Sequence, residues 1–237
     1  MKGACVVVTS SILRCEEEFL RLVSLFCLSE SEIHRFEEII GLTEKAEFVS
    51  GRVLARLSLS QILGVEPRNI PINIGCGGRP CLAGEDLDFN LSHGGGFVVV
   101  ALCSTAKVGV DVQDCSLVKS DRVLLQYLGR KFRCGDRSPE IIERMIVDRW
   151  CMSEAFAKCS GLDFLFSMKS HDFLSIIERT PKFGWFTGDR HSVYLSSIAD
   201  GRVPVALCVL GQPMPVTFQE VDLASICTEL YTNLLHD

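Results

Sequence analysis

Two uninterrupted apolar runs constrain this chain most: Phe97 to Cys103 (FVVVALC) and Pro204 to Leu210 (PVALCVL). A short run of this kind, with no polar residue on either face, marks a strand buried on both sides. Before the first run the sequence reads as a strand at 4–9, then helices at 16–28 and 31–63. The second helix breaks near Gly41 and stops at Gly64. Strands follow at Pro71–Ile74 and Asp88–Ser92. After Ser104-Thr105-Ala106 a second round opens with a strand at Lys107–Gln113. It continues with a basic, partly helical stretch at 117–133 and a helix from Ser138-Pro139-Glu140 to Gly161. Strands near 171–178, 182–187, 191–197 and 203–210 follow, and a helix at 219–235 closes the chain. Each round runs strand, helix, then several antiparallel strands. The expected fold is α+β: a pseudo-dimer of two similar halves, 1–105 and 106–237. Each half is a long helix packed on a small antiparallel sheet, with the active site in the cleft between halves.

Composition narrows the function. With 237 residues, 47% of them hydrophobic, the chain can bury a sizeable core. Its net charge of −6 disfavours nucleic-acid binding, which demands a basic footprint. No span reaches the length of a membrane helix. The apolar run Ala4 to Val8 is short and is followed by Arg14 and three glutamates, against a signal peptide. Twelve cysteines, none spaced C-x-x-C and most in apolar runs, fit free buried thiols in a reducing compartment, so the expected location is cytoplasmic. One segment runs against the overall charge. Lys119 to Arg137 carries six cations against Asp121 and Asp136, either a solvated face or a docking patch for an acidic partner.

Chemistry-bearing residues fall in four places. Trp150, Glu154 and Lys158 lie one turn apart on one helical stripe. The pair Glu154–Lys158 is either an i,i+4 helix-stabilising pair or a carboxylate for a metal beside a cation for a phosphate. Asp111 and Gln113 share one face of their strand. With Glu154 they could give a hard cation two carboxylates and an amide oxygen; the alternative is a hydrogen-bonded aspartate at a strand edge. Ser92 and His93 are adjacent on an extended segment, so their side chains diverge, which argues against a Ser–His nucleophile–base pair. The glycines after His93 can let backbone approach a phosphate, or simply turn a hairpin. Arg79 sits on the stiff turn Gly78-Arg79-Pro80.

In order, G-R-P at 78–80, F-N-L-S-H at 89–93, G-V-D-V-Q at 109–113 and W-C-M-S-E-A-F-A-K at 150–158 resemble the signatures of the Sfp-type 4′-phosphopantetheinyl transferases. The resemblance implies transfer of 4′-phosphopantetheine from coenzyme A to a serine of an acyl or peptidyl carrier protein, with Mg²⁺ and release of 3′,5′-ADP. It implies Asp111 and Glu154 as metal carboxylates, with Gln113 beside them, and Glu154 as the general base or its positioner. Lys158 and His93 would contact the coenzyme A phosphates. Arg79 and Arg52 would contact the nucleotide end, and Asn90 and Ser92 would line the same edge. Carriers of this kind are usually acidic, which makes Lys119 to Arg137 the candidate docking surface. An internal pseudo-dimer fits a monomer. Two positions depart from the family pattern: Gln113 stands where glutamate is frequent, and Ser153 where a lysine is expected. They motivate an alternative reading, a coenzyme A-binding relative with weak or no transferase activity.

Overall fold

The structure, a computed structural model, describes residues 3–75, 78–84, 86–114, 116, 138–164, 184–188 and 190–234. The basic segment Lys119 to Arg137 and the strand expected at 171–178 lie outside the described residues.

The valine-rich N-terminal segment forms β1 (Cys5–Ser11), and its β-branched side chains suit a pleated, buried surface. Three helices follow: α1 (Glu17–Cys27), α2 (Glu30–Glu38) and α3 (Leu42–Leu63). Helix α2 starts on a Ser29–Glu32 capping box. Helix α3 starts after Gly41 and ends at Gly64, which takes the left-handed conformation at φ 66°. A short ribbon, β2 (Ile72–Ile74) with β3 (Pro80–Leu82), flanks the Gly78-Arg79 turn. β4 (Asp88–Gly94) and β5 (Phe97–Cys103) then form a hairpin. The second round is β6 (Val108–Val112), α4 (Pro139–Ser160), β7 (Gly184–Thr187), β8 (His191–Ile198) and β9 (Val203–Leu210). β10 (Val216–Glu220) and α5 (Leu223–Leu234) complete the chain.

Two four-stranded sheets result, ordered β10-β1-β5-β4 and β6-β9-β8-β7. The second is antiparallel throughout, and the first carries one parallel pair, β1 with β10. Three apolar layers hold them. Val49, Val53 and Leu54 of α3 pack on Phe89, Val98 and Val100. Ile146, Met152 and Phe156 of α4 pack on Val193, Ala206 and Cys208. Between the sheets, Val7, Val99 and Ala101 meet Val108, Val110 and Leu207. The order is therefore helix, sheet, sheet, helix, an α+β architecture. Both apolar runs, β5 and β9, are covered on both faces, as their composition requires.

The C-terminus differs from the sequence reading. Residues 216–220 are a strand, and the helix begins only at Leu223, where Asp222 caps it by accepting from Ser225 N at 3.2 Å. The exposure along V-T-F-Q-E varies with a strand's alternation, and a helical reading overlooks that period. This strand pairs with β1, and α5 lies on α1 with Phe19 edge-on to Tyr231. Residues 216–234 thus pack on β1 and α1.

Candidate active site

Among the described residues β6 is an edge strand, hydrogen-bonded in its sheet only to β9. An open strand edge leaves N–H and C=O groups that must find partners when buried. β4 of the other sheet supplies them from side chains. Asp88, Asn90 and Ser92 alternate along β4 and so share its inner face. Val108 N donates to Asp88 Oδ2 at 2.8 Å, and Val110 N donates to Asn90 Oδ1 at 2.9 Å. Ser92 Oγ donates to Asp111 Oδ1 at 2.7 Å. The carbonyls of the same edge are also engaged. Arg79 Nη2 reaches Val108 O at 2.7 Å, and Lys158 Nζ reaches Val110 O at 3.2 Å. The four sequence motifs therefore converge on one strand edge.

Helix α4 delivers Lys158. Pro139 sits in its first turn, and Gly161 ends it at φ 73°. The helix crosses β6 at Gly109, where a Cβ would fall 2.5 Å from Cys159 N and closer still to Ala155 O. Only glycine permits that approach, and the approach brings Lys158 Nζ to 2.7 Å from Asp111 Oδ1 and 3.0 Å from Ser92 Oγ. An ammonium has three protons, and here all three have acceptors. Asp111 is 2% exposed, and the described residues offer its Oδ2 no hydrogen-bond partner. Glu154, one turn before Lys158, is half-buried. Burial raises its carboxyl pKa and the charge of Asp111 adds to the rise, while Lys158 opposes it.

A cleft of about 900 Å³ opens beside this edge. Arg79, Asp88, Asn90, Lys107 and Lys158 line it, with Gly75 and Gly78 of the ribbon turn and Gly161 at the helix end. Arg79 is fixed in the wall by Asp88 at 2.6 Å. Two candidates lie elsewhere. His93 projects opposite to Ser92, with Nδ1 3.5 Å from Glu47 Oε2 of α3. Arg52 lies in α3 beside Glu32, 3.7 Å away, and over the Phe48 ring; burial lowers its pKa. Neither is among the residues lining the cleft, nor are Ser92, Asp111, Gln113 and Glu154; of the expected site residues, Arg79, Asn90 and Lys158 line it. Gln113 follows β6, its Oε1 lying against Gly94. Ser153 is fully buried, and the described residues give its Oγ no partner. Sequence reasoning passed over Asp88 and Lys107. Asp88 extends the D-x-N-x-S alternation by one step and was legible there, whereas nothing in the sequence marks Lys107.

A divalent metal fits what is present. Asp111 Oδ2 is buried and unsatisfied, and Glu154 is a second carboxylate whose ionisation Asp111 disfavours; Lys158 is the one cation the described residues set against these two acids, so a divalent ion would balance the second charge. Among the described residues no cluster of three or more His, Cys, Asp or Glu is assembled for a metal. No helix among them is long and apolar enough to cross a membrane.

The family described as 4′-phosphopantetheinyl transferase, N-terminal, matches residues 15–105. The 4′-phosphopantetheinyl transferase HetI of Nostoc sp. is 28% identical over 141 residues, 56% of this chain and 60% of that protein. A phosphopantetheinyl transferase of Thraustochytrium sp. is 25% identical over 165 residues, 62% of this chain and 57% of that protein. The L-aminoadipate-semialdehyde dehydrogenase-phosphopantetheinyl transferase of Rattus norvegicus is 22% identical over 169 residues, 64% of this chain and 54% of that protein. The matched stretch thus spans little more than half the length of these relatives. By these matches, and by the four motifs gathered on one strand edge, the chain is similar to the 4′-phosphopantetheinyl transferases.

Proposed function

We propose that the protein transfers 4′-phosphopantetheine from coenzyme A to a serine of an acyl or peptidyl carrier protein and releases 3′,5′-ADP, in the manner of the Sfp type. The observation that carries this reading is the Asp111–Lys158–Ser92 cluster, in which buried Asp111 and Ser92 hold Lys158 in the wall of a cleft whose other cations are Arg79 and Lys107. The cleft would hold the nucleotide end of coenzyme A against Arg79 and the ribbon turn, with the pyrophosphate toward Lys158 and Lys107. Arginine on a stiff turn suits phosphate, and charge that develops on phosphate oxygens is stabilised by cations already in place. Asp111 and Glu154 would hold Mg²⁺, with Gln113 as a further oxygen donor. The ion supplies charge neutralisation on the pyrophosphate.

Glu154 takes the proton of the carrier serine hydroxyl. Its raised pKa makes it a better base than a solvated carboxylate. The serine oxygen then bonds to the phosphorus bearing pantetheine, and the bond from that phosphorus to the 3′,5′-ADP oxygen breaks. Ser92 donates to Asp111 and accepts from Lys158, so it holds carboxylate and ammonium in register. The two rounds of secondary structure would be halves of a pseudo-dimer with the cleft between them. A cytoplasmic monomer is the expected state, and an acidic carrier would dock on Lys119 to Arg137.

The test is stoichiometry. Incubated with coenzyme A, Mg²⁺ and an apo carrier, the protein should release one 3′,5′-ADP for each carrier converted. Coenzyme A binding without release across several carriers would leave only the binding role. Replacing Arg130 and Lys131 with glutamate should raise the carrier KM and leave coenzyme A binding alone; unchanged carrier kinetics would remove the docking assignment.

A further inference from the structure

Away from the cleft, the ladder of β1 and β5 sets Cys5 directly opposite Cys103. Cys5 opens β1 and Cys103 closes β5, so the pair is a terminal rung of the sheet. Cys5 N donates to Pro215 O at 2.9 Å, on the β10 side, whereas the even-numbered Ile12 N donates to Gly96 O, on the β5 side. The odd residues of β1 therefore turn their backbone groups away from β5, and Cys5–Cys103 is a non-hydrogen-bonded pair. Such pairs bring Cα atoms to about 4.5 Å, inside the window of about 4.4–6.8 Å that a disulfide spans. Both side chains enter the core between the sheets. Met214 Sδ lies 3.3 Å from Cys5 Sγ and 3.6 Å from Cys103 Sγ, so the two sulfurs converge on one point. Both are free thiols.

We propose that Cys5 and Cys103 are an oxidation site that closes to a cross-strand disulfide with the backbone in place. The two thiols are unequal. The hydrogen bond from Cys5, aided by Thr105 and the Ala106 backbone and opposed by burial, lowers the pKa of Cys103 to about 5. That of Cys5 is pushed up, chiefly through the same bond and by burial. Cys103 is thus the nucleophile and Cys5 the resolving thiol. The oxidant is a hydroperoxide, here hydrogen peroxide. The Cys103 thiolate takes one peroxide oxygen as sulfenic acid and releases hydroxide. That hydroxide removes the Cys5 proton as water. The Cys5 sulfur then displaces the sulfenic hydroxyl, which leaves as hydroxide and takes up a proton from solvent, replacing the one Cys103 had given up. The net change is two thiols and one peroxide to one disulfide and two waters, with two electrons passing to the peroxide. Both sulfurs are buried, but the rung lies at a strand end beneath the half-buried Met214, where local opening admits a small oxidant.

The bond would close a loop from residue 5 to residue 103, long enough to raise Tm by on the order of 10 °C. To test this, the whole reduced protein is treated with hydrogen peroxide, denatured, alkylated, digested and mapped by mass spectrometry. A peptide linking Cys5 to Cys103, cleaved by dithiothreitol and accompanied by a reversible rise in Tm, is expected. Cys5→Ser, which keeps a hydrogen-bond donor beside Cys103, should remove both and leave Cys103 trapped as a sulfenic acid by dimedone. Recovery of Cys5 and Cys103 fully alkylated or over-oxidised, or crosslinked only to other cysteines, would overturn the proposal. The mapping is done on the native sequence and does not depend on any variant folding.

Discussion

Replacing Gly109 with alanine tests how tightly the site depends on the crossing of α4 over β6. The added Cβ would lie 2.5 Å from Cys159 N and 3.0 Å from Cys159 Cβ, and closer still to Ala155 O. The nearest of these are backbone atoms of a helix, so no side-chain rotation relieves them. Restoring contacts of roughly 3.5 Å requires the helix to lift from the strand by about 1 Å. Interiors are close-packed, and overpacking of this kind costs about 1–3 kcal/mol. The same lift carries Lys158 away from Asp111, stretching a 2.7 Å contact beyond hydrogen-bond range. A misplacement of about 1 Å costs on the order of 10²-fold in rate. Urea unfolding should therefore show a lower midpoint at unchanged m, and transfer to a carrier should fall about a hundredfold. Stability and turnover equal to those of the native chain would refute the argument that this close crossing places Lys158.

Three further substitutions separate stability from chemistry. Glu154→Gln should abolish transfer yet raise Tm at neutral pH, because the folded pKa of Glu154 is raised and its ionisation costs stability as pH rises through that value; a lower Tm would contradict this. In the native chain, transfer should decline as pH falls through that pKa. Ser153→Ala should stabilise by about 1 kcal/mol, since a fully buried hydroxyl with no partner is replaced by a methyl group; a loss in chemical denaturation would point to a partner for it. Asp88→Asn should raise the KM for coenzyme A more than it lowers kcat. It loosens Arg79 in the cleft wall and leaves Asp111 and Glu154 in place, so an equal fall in kcat would contradict the assignment.

Local signals carried much of the fold. Ser138-Pro139 and Gly161 bound α4, and Gly41 and Gly64 bound α3, because caps and left-handed glycines act within one turn. The apolar runs became the doubly covered strands β5 and β9. What escaped is long-range. β10 pairs with β1 across most of the chain, and a parallel pairing at that separation leaves no local trace. The alternation of Asp88, Asn90 and Ser92 read as a strand, but its use as a substitute hydrogen-bonding edge for β6 depends on how two sheets meet. Lys107 gained a place in the cleft for the same reason. Arg52 enters through the family resemblance, which does not disclose Glu32 beside it.

The proposed transferase site is the Asp111 edge of β6. The most direct measurement is the intact mass of an apo carrier protein after incubation with this protein, coenzyme A and Mg²⁺. A gain of one phosphopantetheine, lost in Asp111→Ala and on chelation of the metal, is the predicted result. An unchanged carrier mass across several acidic carriers, from folded protein that still binds coenzyme A, would contradict it.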